Sequence, residues 1–148
     1  MAQARAQLAS AVTSRMLSRP KAPTILVAED SADSLEMMRT LLRRKGYEVL
    51  TAEDGPEAVH VAFATIPDLI LVDLRLPLLD GFDVTRTLRR HPRLRHVPIV
   101  ILSGHDPAQY RQQALDAGCD DYLLKPIDFD RLESILNTTV PIPSQGII

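Results

Sequence analysis

Residues 67–81 read PDLILVDLRLPLLDG. Within them Leu69, Ile70, Leu71 and Val72 form an unbroken apolar run between Pro67 and Pro77, the pattern of a strand covered on both faces. The run ends on an acid, Asp73. A charged carboxylate in the middle of such a strand would carry a large desolvation cost, so Asp73 belongs at the strand's C-terminal mouth. Open α/β sheets keep their chemistry at that edge.

Outward from this stretch, strand and helix patterns alternate. On the N-terminal side, Thr24 to Ala28 is a short apolar run ending in Glu29 and Asp30. Leu35, Met38, Leu41 and Leu42 then share one helical face. That pattern closes with Arg43, Arg44, Lys45 and Gly46, cations suited to the negative end of a helix and a glycine suited to a left-handed cap. Tyr47 to Ala52 is a more polar strand and therefore a candidate sheet edge. Asp54 and Glu57 have the spacing of a capping box ahead of a helix carrying Ala58, Val59, Ala62, Phe63 and Ile66, which must stop before Pro67.

On the C-terminal side, Phe82 to His91 is a helix with Val84 and Leu88 inward. Val97 to Leu102 is a strand whose first residues Pro98 keeps out of the ladder. Asp106 and Pro107 open a helix that Gly118 ends, and its paucity of large apolar residues makes it the least anchored element. Asp121 to Leu124 is the fifth strand. Asp128 caps a last helix with Phe129, Leu132, Ile135 and Leu136 on its buried side, and Pro141 and Pro143 stop it. Five strands alternating with five helices imply right-handed crossovers and a parallel sheet with helices on both faces.

Composition sets the bounds. The 148 residues suffice for one domain burying roughly 70% of its unfolded surface, with no room for a second. Apolar content of 45%, charge of 24% and a net charge of −2 describe an ordinary globular chain without the basic excess of a nucleic-acid binder. Cys119 is the single cysteine, so no disulfide framework or cysteine metal site can form, and a reducing, cytoplasmic setting fits. It reads as a packing residue. His60, His91, His96 and His105 are scattered and indicate neither a zinc site nor a phosphotransfer histidine. No apolar run reaches membrane-spanning length, and no secretory core opens the chain, so no membrane role is expected.

The expected organisation is a basic tail over residues 1–23, a folded domain over 24–139 and a short tail over 140–148. The first segment holds Arg5, Arg15, Arg19 and Lys21 and no acid. Leu8, Val12 and Met16 allow a short amphipathic helix there, and the composition also has the character of a transit peptide. A mobile tail is the plainer reading.

The chemistry-bearing residues terminate strands. Glu29 and Asp30 follow the first, Asp73 the third, Ser103 the fourth and Lys125 the fifth, and in a parallel sheet these ends point the same way. With a flavodoxin-like strand order, 2-1-3-4-5, Asp30 and Asp73 share the crevice at the switch point. Three clustered acids repel and call for a positive partner. Mg²⁺ suits such a site, because it binds a few carboxylates while keeping waters that a phosphorylated substrate can displace.

In order and spacing, ILVAED, LILVDLRLPLLDGFDV, PIVILSG and GCDDYLLKP resemble the receiver domain of two-component response regulators, over about Thr24 to Thr139. The resemblance implies that Asp73 accepts a phosphoryl group from a histidine kinase or phosphotransfer protein. It implies that Glu29, Asp30, Asp73 and the backbone carbonyl of Arg75 hold Mg²⁺. Lys125 would pair with Asp73 and then with a phosphoryl oxygen, and Ser103 would donate its hydroxyl to another. Ser103 and Tyr122 would form the switch that changes the surface of the fourth helix, fifth strand and fifth helix for an unknown downstream protein. Lys125-Pro126 matches a cis peptide of the family. Arg75 and His105 fall at positions that influence the lifetime of the phosphoryl group.

Each residue also has a plainer reading. Alone, Asp30 or Ser31 is a helix cap, Asp80 beside Gly81 is turn chemistry, Tyr122 is a half-buried strand aromatic and Lys125 is a solvated charge. Asp30, Asp73 and Lys125 together reverse those odds. The expectation is a stand-alone phosphoacceptor, monomeric or dimerising on phosphorylation, and not an enzyme beyond its own phosphorylation and dephosphorylation. The alternative is a phosphorylation-independent interaction module on the same fold. An aspartate-nucleophile phosphatase is disfavoured because Arg75 stands where its general acid would be. A flavin binder is disfavoured because Glu29 and Asp30 would repel its phosphate.

Overall fold

The computed structural model describes residues 21–142. The expectations for residues 1–20 and 143–148 lie outside the described residues. The strands are β1 (Thr24–Ala28), β2 (Glu48–Ala52), β3 (Leu69–Asp73), β4 (Ile99–Ser103) and β5 (Asp121–Leu124). The helices are α1 (Ala32–Arg44), α2 (Gly55–Thr65), α3 (Gly81–Arg89), α4 (Pro107–Ala117) and α5 (Phe129–Thr139). All strand pairs are parallel and the sheet order is β2-β1-β3-β4-β5, the flavodoxin-like order expected from the sequence. β3 lies at the centre with all five residues buried, and the more polar β2 lies at an edge.

Alternate strand residues feed two cores. Leu26, Ala28, Ile70, Val72, Ile99 and Ile101 pack with Ala58 and Ala62 of α2, Val84 and Leu88 of α3, and Ala114 and Ala117 of α4. Ile25, Val27, Leu69, Leu71, Val100 and Leu102 pack with Leu35, Met38 and Leu42 of α1 and Leu132, Ile135 and Leu136 of α5. Full burial of each large aliphatic side chain is worth about 1.5–3 kcal/mol, so both faces hold the sheet. α4 buries two alanines and no larger side chain, the weak anchorage its sequence suggests.

The ends are capped largely as read. Asp54, Asp106 and Asp128 accept from first-turn N–H groups of α2, α4 and α5. Gly46 and Gly118 take the left-handed conformation, with φ of +103° and +96°. For α1 the cap is Ser31 rather than Asp30, which leaves the Asp30 carboxylate free of that duty. One aromatic departs from expectation: Phe129, placed on the buried side of its helix, is exposed, and Phe63 of α2 is exposed as well. Phe63 lies against the His91 ring with centroids 4.9 Å apart, and Phe129 is the first residue of α5, at the helix end rather than over the sheet.

Candidate functional site

The parallel sheet brings the predicted residues to its C-terminal edge. Asp73 is the last residue of β3, opposite Leu102 of β4, and its side chain is 9% exposed. Glu29 is buried just beyond β1, where its N–H donates to the Ala52 carbonyl at 2.9 Å; Asp30 beside it is exposed. Ser103 closes β4 and is buried, and the Lys125 N–H donates to its carbonyl at 2.7 Å. The Lys125-Pro126 peptide is cis. Glu29, Asp30, Asp73, Arg75, Ser103, Gly104, His105 and Lys125 line one cleft.

The cleft is organised by charge. Lys125 Nζ donates to Asp73 Oδ2 at 2.6 Å and to Glu29 Oε2 at 2.7 Å. The first pair was expected; the second was not, because nothing in the sequence distinguishes a carboxylate facing a metal from one facing an ammonium as well. The other oxygens are engaged too. The Arg75 N–H donates to Asp73 Oδ1 at 2.9 Å, and the Ser31 N–H donates to Glu29 Oε1 at 3.2 Å. Burial first, and then the neighbouring Asp73 carboxylate, push Glu29 above the ordinary glutamate range against the pull of Lys125. Burial alone would lower Lys125, but its bonds to Asp73 and Glu29 outweigh that and raise it.

One ammonium faces three carboxylates. Glu29, Asp30 and Asp73 offer oxygens that all lie within 4.8 Å of one another. This hard-oxygen set with surplus negative charge fits a small divalent cation such as Mg²⁺. Asp30 is exposed and would be the ligand on the solvent side of such an ion.

Two further features were hidden from sequence reading. Gly81, read as part of a turn, packs directly behind Asp73; its N–H donates to the Leu74 carbonyl at 2.9 Å. Asp80, read from the sequence as turn chemistry, is the N-cap of α3 and accepts from the Asp83 N–H at 2.8 Å. The other feature is the His105 backbone: its N–H donates to Ser103 Oγ at 3.1 Å and its carbonyl accepts from the Tyr122 hydroxyl at 3.0 Å. Main-chain groups carry no residue signature. Cys119 is half-buried against Thr85, with its thiol pushed up by burial, in keeping with a packing role.

The site is an acid cluster and a lysine at the switch point of a doubly wound α/β sheet, and comparison with known proteins gives its family. Residues 25–137 match the family model of the response regulator receiver domain, and the chain belongs to that family. It is 40% identical over 115 residues to the response regulator PleD of Caulobacter vibrioides, covering 75% of this chain and 25% of that one. It is 32% identical over 108 residues to the polar-differentiation response regulator DivK of Brucella anthropi, covering 73% and 88%. Among solved structures it resembles the receiver domain of sensor histidine kinase PA1611 from Pseudomonas aeruginosa, with TM-score 0.75, 37% identity and coverage of 81% and 98%. That receiver holds a magnesium ion in its active-site cleft. The chain spans between a quarter and about half the length of the first curated relatives it matches.

Proposed function

We propose that this receiver accepts a phosphoryl group on Asp73 from the phosphohistidine of a histidine kinase or phosphotransfer protein. An Asp73 oxygen attacks phosphorus, the bond from phosphorus to the imidazole nitrogen breaks, and the electron pair stays on that nitrogen, which takes up a proton. The observation that carries the reading is the Lys125 ammonium seated between Asp73 and Glu29, 2.6 and 2.7 Å away, with Asp30 alongside. The transferring group spreads negative charge over its oxygens, and fixed positive charge with a hydroxyl donor is what stabilises it. Lys125 and Ser103 fill those roles.

Glu29, Asp30, Asp73 and the Arg75 carbonyl would hold Mg²⁺; the magnesium-bound PA1611 receiver supports that assignment. When bound, the ion supplies charge neutralisation to the carboxylates and the phosphoryl oxygens. The chemistry is limited to the chain's own phosphorylation and dephosphorylation, in the cytoplasm. Ser103 and Tyr122 would pass the change to the face of α4, β5 and α5, where Leu115 and Leu124 are exposed beside Arg111 and Arg131, for binding by a downstream protein. The receiver over residues 24–139 would act by itself, as monomer or phosphorylation-dependent dimer; the match to DivK, which covers 88% of that protein, supports this. The complete acid pocket disfavours the phosphorylation-independent module.

The test is transfer from a ³²P-labelled phosphotransfer protein. Label is expected to appear on the wild-type chain with Mg²⁺ and not on Asp73→Asn. Label on both chains would remove Asp73 from the role.

A further inference from the structure

Three contacts converge on His105. Besides the bonds from its N–H to Ser103 Oγ and to its carbonyl from the Tyr122 hydroxyl, its ring stands edge-on to Tyr110, with centroids 5.3 Å apart and planes at 63°. Tyr110 is tilted against Phe82, centroids 6.3 Å apart, and Phe82 is the second residue of α3, next to the Gly81 that backs Asp73. A line of rings therefore runs from behind the acceptor, across the fourth residue of α4, to the loop that carries Ser103.

Ala114 and Ala117 make the buried contact of α4, and Tyr110 packs at the margin of the same core. Tyr110 is half-buried, with its ring against Phe82, His105 and the margin of the core. The loop itself has little else to fix it. Gly104 is exposed, and a Cβ there would meet nothing within 4 Å. Holding of the His105 peptide is therefore left to Ser103, Tyr122 and Tyr110.

We propose that Tyr110 is a positioning residue for phosphoryl transfer to Asp73: through the His105 ring it fixes the peptide whose N–H orients the Ser103 hydroxyl. The proposal rests on the phosphoacceptor reading. By accepting from the His105 N–H, Ser103 Oγ is held in place at the cleft beside the Tyr122 hydroxyl. A donor fixed in advance contributes to charge stabilisation without reorganising, whereas the same hydroxyl on a loose loop has to be ordered during the reaction. The carboxylates that suit Mg²⁺ lie on other elements, so transfer and metal affinity separate.

The test compares Tyr110→Ala, Tyr110→Leu and Tyr110→Phe in the full chain. Three readouts are taken: phosphoryl uptake from acetyl phosphate at saturating Mg²⁺, Mg²⁺ affinity, and amide exchange of His105 in metal-free protein. Tyr110→Ala and Tyr110→Leu are expected to slow uptake roughly three- to tenfold, the scale of one aromatic pair. Both should speed His105 exchange and leave Mg²⁺ affinity unchanged, while Tyr110→Phe keeps the wild-type values. Leu preserves apolar bulk and helix, so a collapse of Tyr110→Ala would not obscure the result. Unchanged uptake in the Leu variant overturns the proposal, as does slowing by Phe equal to that by Leu, or loss of Mg²⁺ affinity in step with uptake. A wild-type chain that takes up no phosphoryl group would instead end the phosphoacceptor reading, and this role with it.

Discussion

Gly81 sits so close behind Asp73 that a Cβ at that position would stand 2.8 Å from the Asp73 carbonyl oxygen. It would also meet the Leu74 Cα at 3.0 Å and Ile101 Cδ1 at 3.1 Å. Two of these three are backbone atoms of the acceptor's own strand end, which cannot turn aside as a side-chain tip can. Gly81→Ala should therefore destabilise the fold by about 1–3 kcal/mol, the usual cost of overpacking. Gly104→Ala, where a Cβ meets nothing within 4 Å, should be nearly neutral for stability. Denaturant unfolding of the two variants checks the contrast, and equal midpoints would refute the close-approach argument.

Lys125 is the shared cation of two buried carboxylates. Its removal in Lys125→Met leaves Glu29 and Asp73 facing each other without it, and a loss of about 1–3 kcal/mol is expected in chelator, below the full cost of breaking a buried pair because the ammonium is partly solvated. Added Mg²⁺ should restore more stability to the variant than it adds to the wild type. Stability measured with and without the ion decides, and an unaltered variant in chelator would show that the pairs hold nothing.

Glu29 sets the acid side of the pH response. Its folded value lies above the ordinary 4.5, so the metal-free fold holds that proton more tightly than the unfolded chain does. This contribution to stability is complete below the unfolded value and is lost as pH rises through the folded one. Proton and metal compete for the same oxygens. Mg²⁺ affinity should fall as pH drops toward the raised Glu29 value, starting at higher pH than an ordinary glutamate would dictate. Calorimetric titrations over a pH series should show a shallower dependence for Glu29→Gln; identical slopes would assign the proton elsewhere.

Tyr47 and Lys125 set the alkaline side. The Tyr47 hydroxyl donates to the Val140 carbonyl at 2.8 Å, fastening the end of α5 to the start of β2, and burial raises its pKa above 10.0. The neutral phenol stabilises the fold below its unfolded value, and that contribution is lost as pH rises through the folded one. Lys125, raised above 10.5, loses its contribution over the same direction of change. Tyr47→Phe should cost about 1 kcal/mol at neutral pH and flatten part of the alkaline decline. Thermal unfolding across pH measures both, and a Phe variant as steep as wild type would leave Lys125 as the source.

Much of this molecule was legible because its signals are local. The proline-bounded run ending in Asp73, the caps at Asp54, Asp106 and Asp128, and the glycines at 46 and 118 each follow from neighbours in sequence; the alternation they define gave the parallel sheet, and likeness to the flavodoxin-like fold gave its strand order. Phe129 was misplaced because periodicity gives the direction of a helical stripe, not how far along the helix the sheet covers it. Glu57 was read as closing a box on its own cap; its carboxylate instead accepts from the Glu53 N–H at 3.1 Å, one residue earlier, a difference of loop geometry that spacing does not encode. The strand predicted over Val97 to Leu102 runs from Ile99 to Ser103, because the Pro98 carbonyl enters the ladder only as acceptor for Ile70 and the Ser103 carbonyl is paired by Lys125. At the site, the residue types were readable and the backbone links through His105 were not.

Asp73 as acceptor is tested most directly by intact-protein mass after incubation with acetyl phosphate and Mg²⁺, beside Asp73→Asn and a chelator control. One phosphoryl adduct, labile to hydroxylamine, is expected in the wild type and in neither control. An adduct of equal yield on Asp73→Asn, or none on the wild type with several small phosphodonors, would contradict the assignment.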